Sequence, residues 1–356
     1  MIDFLVIGGG VAGLTAAAHL APLGSVVVLE REAALGMHAS GRSAAIYIER
    51  YGNPVVRALN TASLPGLIAA DVLRPRAFLL LARGDQEAQF EAERAGFAGT
   101  QISVGAGAAM FPILDQTTCG YVASVDQAFD LDTDRLMQHF RKTARGHGAR
   151  IICGSPVTAL ARDGRGWRVT TPDEVWEARR VVNAAGAWAD DLARLAGIAP
   201  VGLQPYRRSI ARLPAPGGHD TKDWPFVDGV GESWYAKPDA GGWLVSPSEE
   251  DPVEPHDAWA DDMVIAEGLD RYGGFVTEAV TRVQTTWAGL RSFAPDRALV
   301  IGPDLADPSF LWCSGQGGYG FQTAVAAGAA LADGVAGRSP DLPPDMVRAL
   351  SPARFS

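Results

Sequence analysis

Apolar residues near the start of the chain fall in short blocks: Ile2–Ile7 (IDFLVI), then an Ala/Leu-rich run after Gly13, then Val26–Leu29 (VVVL). Short apolar blocks bounded by turn signals predict buried strands, and the longer Ala/Leu run between them predicts a helix. The turn Gly8-Gly9-Gly10-Val11-Ala12-Gly13 joins the first strand to the helix, and Glu30 closes the second strand. Strand, glycine turn, helix and a parallel strand ending in an acid make up the dinucleotide-binding βαβ unit. Gly8 supplies the tight turn, Gly10 the close approach of backbone to a pyrophosphate, and Gly13 the close seat of helix on sheet. The free N–H groups and positive dipole end of the helix would hold the diphosphate. Glu30 would accept hydrogen bonds from the ribose of an adenosine.

Further along, the pattern predicts a loop over Arg31–Arg42, a helix over Pro54–Leu67, a strand over Arg76–Ala82 and a charged helix near Gln86–Ala95. Asp132 or Thr133 caps a predicted helix running to Arg145. Ala149–Cys153 and Trp167–Thr171 read as strands, and Arg179–Trp188 as a buried strand ending in a small-residue turn. From Val201 to Thr286 prolines and aromatics interrupt extended segments, the texture of a mixed sheet. Phe310–Cys313 then forms a strand, Gly315–Gly320 a glycine-rich turn, and Phe321–Val335 an Ala-rich helix; the proline-containing tail from Ser339 packs along the surface. The expected fold is α/β: a discontinuous Rossmann-like domain (1–75, 135–200 and 287–356) with an inserted α+β mixed-sheet substrate domain (76–134 and 201–286). A crevice should lie where the two meet, at the carboxyl ends of the parallel strands.

Composition narrows the chemistry. The chain has 356 residues, 31 Lys and Arg against 41 Asp and Glu, and a formal charge of −10 without a basic tract. That excludes a nucleic-acid partner, which needs clustered positive charge. Cys119, Cys153 and Cys313 lie far apart, so neither a structural zinc nor a disulfide framework is expected, and a reducing cytoplasm suits them. The six histidines have no ligand spacing, so no metal is expected. No apolar run reaches the roughly 18 residues of a membrane span, and no signal peptide is expected.

Glycine-rich turns at the start, middle and end of the chain suit one long cofactor, FAD, better than NAD. Taken together, GGGVAG, VVVLERE, HASGRSAA, VVNAAGAWAD, TWAGLRSFAPD and QGGYGFQTA resemble the D-amino-acid oxidase-like family of FAD-dependent oxidoreductases. Within it the chain is similar to the bacterial D-arginine dehydrogenase branch, over nearly its whole length. The resemblance implies that Gly8, Gly10, Ala12, Gly13, Glu30 and Arg31 hold the adenosine half and diphosphate. It places Ala39, Ser40, Gly41, Arg42, Ser43, Ala44, Ala45 and Ile46 around the diphosphate and flavin, and Val157 at the adenine. Ala185, Gly186 and Trp188 complete the cofactor set, and Gly317, Gly318, Tyr319, Gly320, Phe321 and Gln322 line the pyrimidine edge of the flavin. A helix beginning near Phe321 would aim N–H groups at the charge reduced flavin develops. Read without the family, GQGGYG is also a loop needing positive φ. The resemblance implies a non-covalent FAD: covalently flavinylated sarcosine oxidase-like relatives carry a cysteine near the position of Arg291-Ser292-Phe293, which has none.

At the substrate end the resemblance makes Arg291 the carboxylate anchor, which a guanidinium can hold bidentately. Tyr51 and Tyr235 add hydrogen bonds, Arg208 a second positive charge, and the Gly318 backbone contacts the amine. From the residues alone, Arg208 is also an ordinary surface charge, the tyrosines core aromatics, and Arg291 a cation stacked on a ring. The expected reaction is oxidative deamination of a D-amino acid, with hydride transfer from Cα to flavin N5 and release of a 2-oxo acid and ammonia. Ala77, Ile46 and Ile48 replace an acid, a histidine and a threonine of the branch pattern, so a neutral or apolar side chain is expected; Asp228, in PFVDGVGES, argues the other way. Electrons would pass to a quinone or another carrier, or to O2. The rival readings are oxidation of an N-methyl, cyclic or glycine-like amine, an NAD-dependent dehydrogenase, and a non-catalytic flavoprotein.

Overall fold

The computed structural model describes residues 1–355. Its first layer is an eight-stranded sheet assembled from the beginning, middle and end of the chain. The strand Ile2–Ile7 lies between Val26–Leu29 and Val175–Asn183 and is parallel to both. Arg150–Ile152 extends the sheet beyond Val26–Leu29, and Phe310–Ser314 runs parallel to the end of Val175–Asn183. The uninterrupted apolar runs follow from burial on both faces, because successive side chains alternate. Phe4, Val6, Val26 and Val28 point into one core, and Leu5, Ile7, Val27 and Leu29 into the other. The first core is covered by the helices Val11–Leu20, Thr133–Gly146 and Ala324–Val335. The second packs against Trp167, Trp176 and the short helix Ala189–Leu195.

The second layer is a nine-stranded sheet in the order Asp251–Pro252, Gln204–Pro214, Gly242–Ser246, Trp234–Asp239, Phe226–Gly229, Phe78–Arg83, Cys119–Val125, Thr100–Ile102. Thr285–Phe293 pairs along the free side of Gln204–Pro214. A small sheet of Ile46–Ile48, Ala128–Leu131 and Leu73–Pro75 bridges the layers.

Three expectations change. Thr285–Phe293, expected from 287 onward in the nucleotide domain, is hydrogen-bonded throughout to the second sheet, because its TTWAGLRSF pattern offers alternating positions to an antiparallel partner. The last long helix begins at Ala324, not Phe321; Tyr319 to Thr323 form turns, with Tyr319 N–H donating to Gln316 O and Thr323 N–H to Tyr319 O. The tail is a helix, Pro344–Leu350, whose Leu350 is buried in the first core. Asp132, not Thr133, caps its helix, accepting from Arg135 N–H at 2.9 Å. No described helix is long and apolar enough to cross a membrane, and the three cysteines are free thiols.

Candidate active site

Where the layers meet, one cavity of about 1130 Å³ runs from Glu30, Arg31 and Trp188, past Gly10 to Ala12 and Ser40, to Tyr235 and Arg291. The nucleotide end is built by close backbone contacts. A Cβ on Gly13 would stand 1.8 Å from Gly8 O, and one on Gly8 (φ 114°) would stand 2.2 Å from Ala184 O. Only glycine lets the turn, the helix and the middle strand approach this closely. The first-turn N–H groups of Val11–Leu20 have no partner within the helix. Ser40 Oγ accepts one of them, from Val11 at 3.0 Å, and keeps its own proton to donate to an anion there. Glu30 accepts from Gly9 N–H at 2.6 Å and Glu32 N–H at 2.9 Å, which fixes its carboxylate at the strand end. Arg31 stacks over Trp188 at 4.4 Å.

Gly10, Ala12, Glu30, Arg31, Ala39, Ser40, Arg42, Ser43, Ala44, Ala45, Ile46, Ala185, Gly186, Trp188 and Gly317 to Gln322 all line this cavity. Gly8 and Gly13 stand behind it. Gly41 is turned away, its N–H bonded to Gly36 O at 2.6 Å, and Val157 packs into the second core. Arg42 lines the cavity with its guanidinium engaged elsewhere: Nε donates to Met37 O, Nη1 to Ala258 O and Ala288 O, and Nη2 to Asp257. It ties the loop to the second layer. Lys237 does the same, donating to Ala44 O at 3.0 Å and pairing with Asp130 at 2.8 Å.

The substrate end is the inner face of the nine-stranded sheet. Directly paired residues of an antiparallel sheet share a face. Asp228 pairs with Tyr235 and Tyr235 with Ser246; Arg208 pairs with Gly289 and Tyr206 with Arg291. Arg208 and Arg291 are therefore diagonal neighbours on one face, and their circumstances differ. Arg208 is spent: Nε donates to Glu249 O at 2.9 Å, and Nη2 lies 3.4 Å from Glu250 and 3.5 Å from Glu232. Arg291 has no carboxylate within salt-bridge distance among the described residues. Burial disfavours its charge, but Tyr51, Tyr235 and Glu232 outweigh that and hold the guanidinium above its ordinary range. A Cβ on Gly318 would sit 3.0 Å from Arg291 Cζ, so the glycine loop leaves room for the guanidinium. Burial pushes the Tyr51 hydroxyl up, so it stays protonated.

Ile46, Ile48, Phe97 and Phe226 give the cavity apolar walls, with Phe226 stacked on Tyr235 at 5.4 Å. Ala77 lies outside: it is exposed, and its carbonyl accepts from Phe226 N–H at 2.8 Å. Sequence reasoning missed Glu93, Phe97, Glu232, Glu250 and Arg297. Glu93 and Phe97 belong to the charged helix Glu87–Phe97, which reads in sequence as a solvated face.

The residues fit a bound dinucleotide. Among the described residues Gln322 Nε2 is a buried donor without a partner on the cavity wall, and Gly10 leaves the helix N-terminus open. The family profile described as "DAO: FAD dependent oxidoreductase" matches residues 3–334. The chain belongs to this DAO family of FAD-dependent oxidoreductases, and FAD is its cofactor. The hydrogen cyanide synthase subunit HcnC of Pseudomonas aeruginosa is 26% identical over 213 residues, 55% of this chain and 46% of that protein. The mitochondrial dimethylglycine dehydrogenase of Homo sapiens is 25% identical over 393 aligned positions, 99% of this chain and 44% of that protein. The chain thus spans about half the length of these curated relatives. The crystal structure of L-proline dehydrogenase from P. horikoshii superposes with a TM-score of 0.84 over 99% of this chain and 97% of that one at 20% identity, a likeness of DAO fold.

Proposed function

We propose that the chain oxidises the carbon–nitrogen bond of an amino acid whose carboxylate is held by Arg291, Tyr51 and Tyr235. The observation that carries this reading is a half-buried guanidinium beside two tyrosines in the cofactor cavity, with no carboxylate partner among the described residues. A half-buried cation left unpaired among the described residues calls for an anion from outside. Bound FAD supplies the two-electron acceptor. The chain's own part is orientation: Arg291 and the tyrosine hydroxyls fix the carboxylate, and the apolar walls exclude water, so the amine-bearing carbon is held in one attitude. The substrate must present a neutral amine, whose lone pair expels the electrons; the imine then leaves and is hydrolysed to a 2-oxo acid and ammonia.

The branch-level resemblance supports D-amino acids as substrates and a quinone or other carrier as acceptor. A second reading, an N-methyl, cyclic or glycine-like amine, is supported by the names of the relatives, dimethylglycine dehydrogenase and L-proline dehydrogenase. Anaerobic mixing of the purified flavoprotein with D- and L-amino acids, N-methylglycine, N,N-dimethylglycine and proline separates them. At least one carboxylate-bearing amine should bleach the visible flavin band within seconds, and the responding class identifies the substrate. A band untouched by every member overturns the proposal.

A further inference from the structure

One acid in the substrate cavity has no hydrogen-bond or ion-pair partner among the described residues. Asp228 lies on the strand Phe226–Gly229, is the register partner of Tyr235, and lines the cavity. Its carboxyl makes no hydrogen bond and no ion pair among the described residues, whereas the neighbouring acids are engaged. Glu232 and Glu250 face Arg208, Glu250 also pairs with Arg297 at 2.9 Å, and Glu93 accepts from Gly231 N–H at 2.7 Å. Burial holds the Asp228 carboxyl well above the usual range, Glu232 and Glu93 adding to it against the pull of Arg208 and Arg291.

Position gives this acid a role. Between the strand of Arg291 and that of Asp228 lie Gln204–Pro214, Gly242–Ser246 and Trp234–Asp239. The unpaired cation and the unpaired carboxyl therefore share one sheet face with three strands between them, Arg291 on an outer strand and Asp228 on a central one, with Tyr235 beside the acid and Phe226 and Ile48 on the walls. A substrate with a carboxylate at one end, a methylene stem and a cation at the other matches that order, and the apolar walls cover the stem. We propose that Asp228 is the specificity-determining residue of the cavity and receives a second, protonable nitrogen carried on the substrate's side chain. The inference rests on Arg291 anchoring the carboxylate, and it replaces the expectation of an apolar side chain drawn from Ile46, Ile48 and Ala77.

The test uses the FAD-loaded protein and the variant Asp228→Asn, which keeps the shape and removes the charge. Calorimetry compares 6-aminohexanoate with hexanoate, two carboxylates that differ only in a distal ammonium and lack an α-amine. Stopped-flow flavin reduction compares lysine with norleucine and ornithine with norvaline, in both enantiomers. The wild-type protein should bind 6-aminohexanoate at least tenfold more tightly than hexanoate and favour lysine over norleucine at least tenfold in kcat/KM. Asp228→Asn should bring both ratios to about one. Preference for hexanoate and norleucine overturns the inference, as does an Asp228→Asn variant that slows lysine and norleucine alike, since the acid would then act on the common α-amine. Should the variant not fold, the wild-type ratios decide alone. Charge-selective binding without flavin reduction by any amino acid would sink the oxidation reading and leave the role of Asp228 standing; reduction without charge selectivity would do the reverse.

Discussion

Two arginines on one sheet face, Arg208 and Arg291, show what decides a residue's role here. Arg208 is buried and meets Glu232, Glu250 and the Glu249 carbonyl, while the half-buried Arg291 lies beside Tyr51 and Gly318 and pairs with no carboxylate among the described residues. The motif around Arg291 was legible in the chain as a candidate anchor. The neutralisation of Arg208 was not, because its partners sit at positions 232, 249 and 250, brought to it by hairpin turns that no local pattern announces. Replacing Arg291 with alanine should lower kcat/KM by roughly two orders of magnitude or more, the scale for losing one partner of a buried charge pair at about 2–5 kcal/mol. Flavin content, read from the absorbance ratio of the purified protein, should stay at the wild-type value. Asp228 makes a second claim at this scale. Its folded-state carboxyl titrates above the ordinary 3.8 of the unfolded chain, so the folded protein binds more protons between those values and stability falls as pH rises through that window. Without substrate, Asp228→Asn should therefore melt higher than wild type at pH 7, and the gap should close on acidification toward pH 3.8. Equal melting temperatures at pH 7 would remove the cost assigned to this half-buried acid.

Among the elements, the nucleotide-binding unit was the most legible, because parallel strands buried on both faces leave uninterrupted apolar runs and the turn between them needs glycine. Gly13 is where that need is most acute: its missing Cβ is what lets the helix rest on Gly8 O. Gly13→Ala should give protein that loses most of its FAD and melts lower, by the 1–3 kcal/mol typical of overpacking or more; full flavin occupancy would show that helix and turn can part without cost. The second sheet was less legible. Phe78–Arg83 is buried along most of its length and reads like a parallel strand, yet it has one parallel and one antiparallel neighbour. Thr285–Phe293 was drawn to the wrong layer by its nearness in sequence to the C-terminal nucleotide segment, whereas its hydrogen bonds all go to Gln204–Pro214.

At the scale of the whole molecule, the site exists because two layers are pinned together over a shared cavity. Arg42 is a principal pin: one guanidinium reaches the carbonyls of Met37, Ala258 and Ala288 and the carboxylate of Asp257. Arg42→Ala should lower unfolding stability by about 2–3 kcal/mol, since hydrogen bonds from a charged donor contribute about 1.5–3 kcal/mol each and this one is partly solvated. It should also weaken FAD binding, measured by flavin fluorescence on titration. A variant as stable as wild type would place the pinning elsewhere. The account as a whole depends on a carboxylate from outside meeting Arg291. The most direct measurement is anaerobic flavin reduction by an amino acid that the protein oxidises, set against the carboxamide of the same amino acid. The amide keeps the amine and the reacting carbon but cannot pair with a guanidinium, so it should reduce the flavin at least a hundredfold more slowly. Equal rates for the two would contradict the account at its root.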